Sequence, residues 1–141
     1  MIHEVTENPH EYTPAELREL YEAELRAAID AHGIQEVADA SGVERATLRE
    51  LRDGSAPELT LEEASAILAV LEDKPDAETI ATLARDALLM GMTTAVLDVE
   101  AVESGIGGQL EAREIQSKVE GRFPITLEEF ALLHQYIESK K

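Results

Sequence analysis

The chain has 141 residues, with 30 acidic against 12 basic side chains and a net charge of −18. That length suits one domain or two small ones, and an apolar content of 44% is ample for a core, so the charge does not signal disorder. The chain contains no cysteine, which excludes disulfide staples, thiolate zinc sites and thiol nucleophiles.

No apolar run approaches the roughly 18 residues a membrane span needs. The opening Met1-Ile2-His3-Glu4-Val5-Thr6-Glu7 is acidic and polar, unlike a signal peptide. The expectation is a cytoplasmic protein with no membrane partner. The basic side chains are eight Arg and only four Lys, and the carboxylates are spread along the whole length. So many like charges repel one another in a compact state. At about 1 M salt the Debye length falls to about 3 Å and that repulsion is screened. High acid, low Lys and abundant Ala point to a protein that works in molar salt.

Residues 1–12 hold no steady period and read as an N-terminal tail or clamp. Thr13-Pro14-Ala15-Glu16 then makes a capping box with Pro at the first helical position. Leu17, Leu20, Tyr21, Leu25, Ala28 and Ile29 follow at helical spacing, predicting a helix over 14–32 stopped by Gly33. Ile34 to Ala40 is a short helix with Val37 and Ala38 inward, broken at Ser41-Gly42. Val43 to Asp53 is another, with Leu48 and Leu51 inward. Thr60-Leu61-Glu62-Glu63 is a second capping box and opens a helix striped with Leu61, Ala64, Ile67, Leu68 and Leu71. Asp73-Lys74-Pro75-Asp76 is the candidate linker.

Beyond it, Ile80, Leu83, Ala84, Ala87 and Leu88 mark a helix up to Gly91, with Met90 and Met92 as core filler. Ala95 to Ser104 is the next, Gly105-Ile106-Gly107-Gly108 a flexible turn, and Leu110, Ile115 and Val119 a third helix. Thr126-Leu127-Glu128-Glu129 caps the last, which carries Phe130, Leu133 and Ile137. No segment alternates with period two. The fold class is all-α, with about eight helices. The expected organisation is a tail over 1–12, a helical unit over 13–73, and a second, possibly duplicated, unit over 76–141 packed on the first. The duplication rests on matches kept in order. The two Thr-Leu-Glu-Glu boxes correspond, as do Gly54 with Pro57 and Gly121 with Pro124, and Leu48 and Ile115 each stand six residues before their glycine.

Residues 34–71 resemble the Cro/repressor-type, or lambda-repressor-like, helix-turn-helix family. Ala38 is small where two helices cross, Gly42 stands four later at the turn, and Val43, Leu48 and Leu51 plug the second helix into the core. The resemblance implies that the helix over 43–53 enters the major groove of duplex DNA. Arg45, Thr47, Arg49 and Arg52 are then the candidate nucleic-acid-binding residues. Arg45 lies within about 40° of each of the other two arginines, and arginine pairs well with guanine edges and phosphates. Against this, Glu44, Glu50 and Asp53 cancel the helix's charge, and phosphate contacts weaken steeply in salt. The alternative is that the arginines pair with acids of neighbouring helices, Arg52 first among them. The helix-turn-helix then serves as a protein-interaction or self-association module. The whole chain also resembles a haloarchaeal family of small acidic helical proteins, on Gly91-Met92-Thr93-Thr94-Ala95-Val96-Leu97-Asp98 and Glu120-Gly121-Arg122. That resemblance implies a lineage and a helical fold and brings no activity.

Nothing in the sequence assembles catalytic chemistry, a cofactor site or a small-molecule substrate site, so the expectation is a non-enzymatic binding module. His3 and His10 lie in the tail, where no metal geometry is fixed. His134 and Glu138, four apart on a helix, read as an ordinary surface pair. Gly105-x-Gly107-Gly108 lacks the strand and the Lys-Ser/Thr of a phosphate loop.

Overall fold

The computed structural model describes all 141 residues. The eight helices are α1 (Pro14–His32), α2 (Ile34–Ser41), α3 (Arg45–Arg52), α4 (Leu61–Leu68), α5 (Ala77–Ala95), α6 (Val99–Gly105), α7 (Ala112–Val119) and α8 (Leu127–Ser139). Two 3-10 turns, Ile2–Glu4 and Pro9–Glu11, precede them. All three Thr-x-x-Glu boxes close in both directions: Thr13 with Glu16, Thr60 with Glu63 and Thr126 with Glu129. Each satisfies two backbone N–H groups that the first helical turn leaves open. No single helix is long and apolar enough to cross a membrane.

The helices fall into two runs of four with one plan. α1 and α5 both have 19 residues, α3 and α7 both have 8, and α2 and α6 have 8 and 7. α8, with 13 residues, outgrows the 8 of α4. The fourth helix of each run packs on the first helix of the other, α8 on α1 and α4 on α5. Between the runs the N-caps of α4 and α8 lie side by side. Thr60 and Thr126 form an antiparallel bridge, in which Leu61 N–H donates to the Ile125 carbonyl and Leu127 N–H to that of Leu59, both at 2.8 Å. The two equivalent segments therefore pair with each other across an approximate twofold. One cluster of 31 buried apolar residues runs through both halves.

The structure corrects several local expectations. Residues 1–12 are docked: Ile2 is buried, its turn packs on α5, and the second turn packs on α8 with Pro9 buried. Ile2 has an apolar side chain to remove from water, which a free tail would leave exposed. Gly91 does not end α5, which runs on to Ala95. A Cβ there would stand 2.7 Å from Ile137 Cγ2, so glycine serves the approach of α8. Likewise α6 includes Gly105, whose missing side chain makes room for the Tyr136 ring. The turn that follows is pinned by buried Ile106, and Gly108 N–H donates to the Glu103 carbonyl at 2.9 Å.

Candidate interaction surface

Helix α3 is held from beneath by Leu48 and Leu51, both fully buried, and from its entry by Val43. Gly42, at φ 77°, turns the chain from α2 into α3, a backbone state that costs a side-chain-bearing residue about 1–2 kcal/mol. The Ser41 hydroxyl donates to the Val37 carbonyl at 2.6 Å and accepts from Val43 N–H at 3.2 Å. The turn is therefore specified by side chain and backbone together. At the far end Asp53, Gly54 and Ser55 N–H groups cap the carbonyls of Arg49, Leu51 and Glu50.

On this frame Arg45, Arg49 and Arg52 are exposed and Thr47 is half-buried. The arginines do not reach neighbouring helices. Arg52, expected to pair across a helix boundary, meets only Asp53 beside it, Nε to Oδ1 at 3.4 Å. The reason is position: Arg52 closes the last turn of a short helix and points to solvent with its neighbour. Arg45 and Arg49 bond to nothing. Glu44, Glu50 and Asp53 share the exposed surface of the same segment.

The other arginines behave differently. Arg18 joins Glu22 at 3.4 Å and Glu128 at 3.4 Å, and also donates to the Ala56 and Pro57 carbonyls. Arg26 donates to the Leu51 carbonyl at 3.4 Å. Arg85 meets Glu62 at 2.6 Å and donates to the Lys118 carbonyl at 3.0 Å. Arg122 pairs with Glu120 at 2.7 Å. The remaining one, Arg113, is exposed and unbonded on α7. It stands two residues before Ile115, as Ala46 stands two before Leu48, so α3 and α7 carry all three unpaired arginines. The sequence held no signal for Arg113, since the repeat spacing matches it to Ala46 and it is an isolated arginine two residues into a helix.

Two buried ionisable side chains, His134 and Glu22, escaped the sequence reading. His134 is only 4% exposed, so it does not form the surface pair that its spacing to Glu138 predicts. Its Nδ1 lies 2.7 Å from the Tyr21 hydroxyl, and Glu138 remains 4.0 Å from Nε2. Burial lowers the His134 pKa to about 4 and raises that of Tyr21 well above its usual value, so the phenol keeps its proton and the neutral imidazole shares a hydrogen bond with it. Phe130 packs edge-on to Tyr21 at 5.6 Å. Glu22 is 3% exposed, and burial pushes its carboxyl pKa up while Arg18 and Arg26 pull it down. Glu22, Arg18 and Arg26 line a groove of about 720 Å³ between α1, the segment after α3 and the start of α8, which Tyr21, Phe130 and His134 do not reach. Arg18 and Glu22 form an ion pair there, and Arg18 also reaches Glu128 and the Ala56 and Pro57 carbonyls. No three His, Asp or Glu side chains converge to hold a metal ion.

No curated protein and no solved structure matches the chain. The model of a family of unknown function, DUF5791, matches residues 17–140, which span all but the first turn of α1 through the end of α8, and the chain belongs to that family.

Proposed function

We propose that the protein is a non-enzymatic binding module whose helix-turn-helix, α2 with α3, presents α3 to another protein. The observation that carries this reading is the exposed face of α3. Three guanidinium groups, two without any bond inside the chain, stand among three carboxylates, and the sum is zero. A face that grips phosphates must be positive, and counterion release leaves it little purchase in strong salt. A mixed face suits a partner that is itself mixed in charge, with Arg45 and Arg49 free to take its carboxylates.

A second reading is a sequence-specific DNA-binding regulator, working from the cytoplasm of a salt-adapted cell. One observation favours it: Arg45, Arg49 and Arg113 all fall on α3 and α7, the second helices of the two matching pairs. Such helices enter the major groove in helix-turn-helix proteins. Selection from random duplexes in molar KCl, with the wild type and with Arg45→Ala, separates the readings. The adaptor reading expects no enriched sequence at any salt at which the protein stays folded. It also expects nuclease-insensitive cross-linking to one protein through a photo-reactive group at position 49, lost in Arg45→Glu. An enriched sequence that Arg45→Ala weakens by about 1–3 kcal/mol establishes the DNA reading instead.

A further inference from the structure

Helices α1 and α5 hold the same place in their halves, 63 positions apart from Pro14 to Ala77. Each is a control for the other. The second half of α1 carries Glu24, Arg26, Asp30 and His32, and the same places on α5 hold Ala87, Leu89, Thr93 and Ala95. Residues 87–97 are therefore an uncharged run between Asp86 and Asp98, in a chain of which 30% is charged. Met90 does not fill the core as its spacing suggests; it is 69% exposed, while Met92 is buried. Leu83, two turns earlier, is 37% exposed, Leu89 is 38% and Val96 is 89%.

The backbone adds an independent observation. The turn after α1 is made by Gly33 at φ 84°, and its counterpart after α5, again 63 positions on, by Val96 at φ 55°, ψ 51°. A β-branched residue in the left-handed region is strained. Here its side chain stands in solvent, so nothing within the chain offsets the strain.

We propose that this uncharged strip at the end of α5, formed by Leu89, Met90 and Val96, is the contact between two copies of the chain in a twofold dimer. Charge selects the occupant. A basic partner is drawn to carboxylates, which this strip lacks. Two copies of a −18 chain repel wherever their carboxylates meet, and an uncharged strip is where they approach without opposing charges. A twofold contact sets each strip against itself, so one patch supplies both sides. Asp86 and Asp98 then lie at the rim, and screening by salt strengthens the dimer.

Sedimentation equilibrium of the full chain, over a concentration series in about 2 M and about 0.2 M KCl, tests this. The expected result is a reversible dimer, tighter in the higher salt. Met90→Asp raises its dissociation constant about tenfold or more. Val96→Gly also weakens the dimer, yet raises the melting temperature of the monomer. Both sites are exposed, and circular dichroism verifies that the variants remain helical. Arg45→Ala leaves the dimer unchanged, which separates this contact from α3. A wild type that stays monomeric at every concentration and salt overturns the proposal. So does a dimer indifferent to Met90→Asp, or binding of the strip to neutral lipid vesicles in place of a second copy.

Discussion

The α1–α8 and α4–α5 contacts are one arrangement made twice, and they differ at their centres. Where α1 and α8 bring Tyr21 against His134, the matching positions on α5 and α4 are Ala84 and Leu68, both buried. One interface is wholly apolar there and the other carries a hydrogen-bonded polar pair, yet the helices dock alike. Apolar burial spread along the helices is therefore sufficient for the arrangement, and the polar pair is a local addition that titrates. The clasps differ as well. Arg18 and Arg26, with Glu22 between them, do on α1 what Arg85 does alone on α5, and Glu22 lies at the place that Arg85 fills.

The most damaging changes ask whether the halves are one folding unit. Leu48→Ala and Ile115→Ala remove equivalent, fully buried side chains, and each is expected to destabilise by about 2–5 kcal/mol. Because one core runs through both halves, either variant should unfold in a single transition by urea titration. Two separate transitions would break the comparison.

Protonation acts on one interface only. His134 has a folded pKa of about 4 against an unfolded value of 6.5, so the unfolded chain binds the extra proton between them. The stability this neutral histidine contributes is complete above pH 6.5 and declines as pH falls towards about 4, by up to about 3 kcal/mol. Glu22, with its raised pKa, works in the opposite direction, so the informative measurement is a difference. His134→Leu, which copies Leu68, should flatten that part of the pH profile in denaturant melts at pH 7 and pH 4.5. An unchanged slope would refute the assignment.

Removing the clasps has a similar or smaller effect. Arg85→Ala loses two charge-assisted bonds and is expected to destabilise by about 2 kcal/mol. Arg18→Ala should exceed it, because it leaves the Glu22 carboxylate buried without its nearest cation. Adding Glu22→Gln should recover that excess, which a double-mutant cycle measures. The smallest effect is at the turn after α5. Val96→Gly should stabilise the monomer by about 1 kcal/mol, and Gly33→Val should destabilise it by more, about 2–3 kcal/mol, because Gly33 at φ 84°, ψ 154° holds a backbone state open only to glycine, both by chemical denaturation.

Local chemistry made much of the fold legible. α1 begins at Pro14 and ends at His32 as the capping box and Gly33 indicate, and α4 and α8 start where their Thr-Leu-Glu-Glu boxes place them. The candidate surface was partly legible too, since Arg45 and Arg49 are exposed on α3. Arg52 was misjudged because its partner depends on which helix lies alongside. His134 was misjudged because helical spacing to Glu138 is indifferent to whether that face meets water or Tyr21.

The sequence by itself determined the helices, their caps and the in-order resemblance of the two halves, because hydrogen bonds within a turn and apolar periodicity act over a few residues. Only the tertiary structure decided what each exception is for. Gly91 and Gly105 read as helix stops until Ile137 and Tyr136 are seen pressing against them. Met90 reads as core until the packing of α5 turns it outward, and nothing in the spacing marks Glu22 as buried before the neighbours of α1 cover it. Each of these depends on contacts between residues far apart in the chain. A window of local sequence contains neither the partner helix nor the direction from which it arrives.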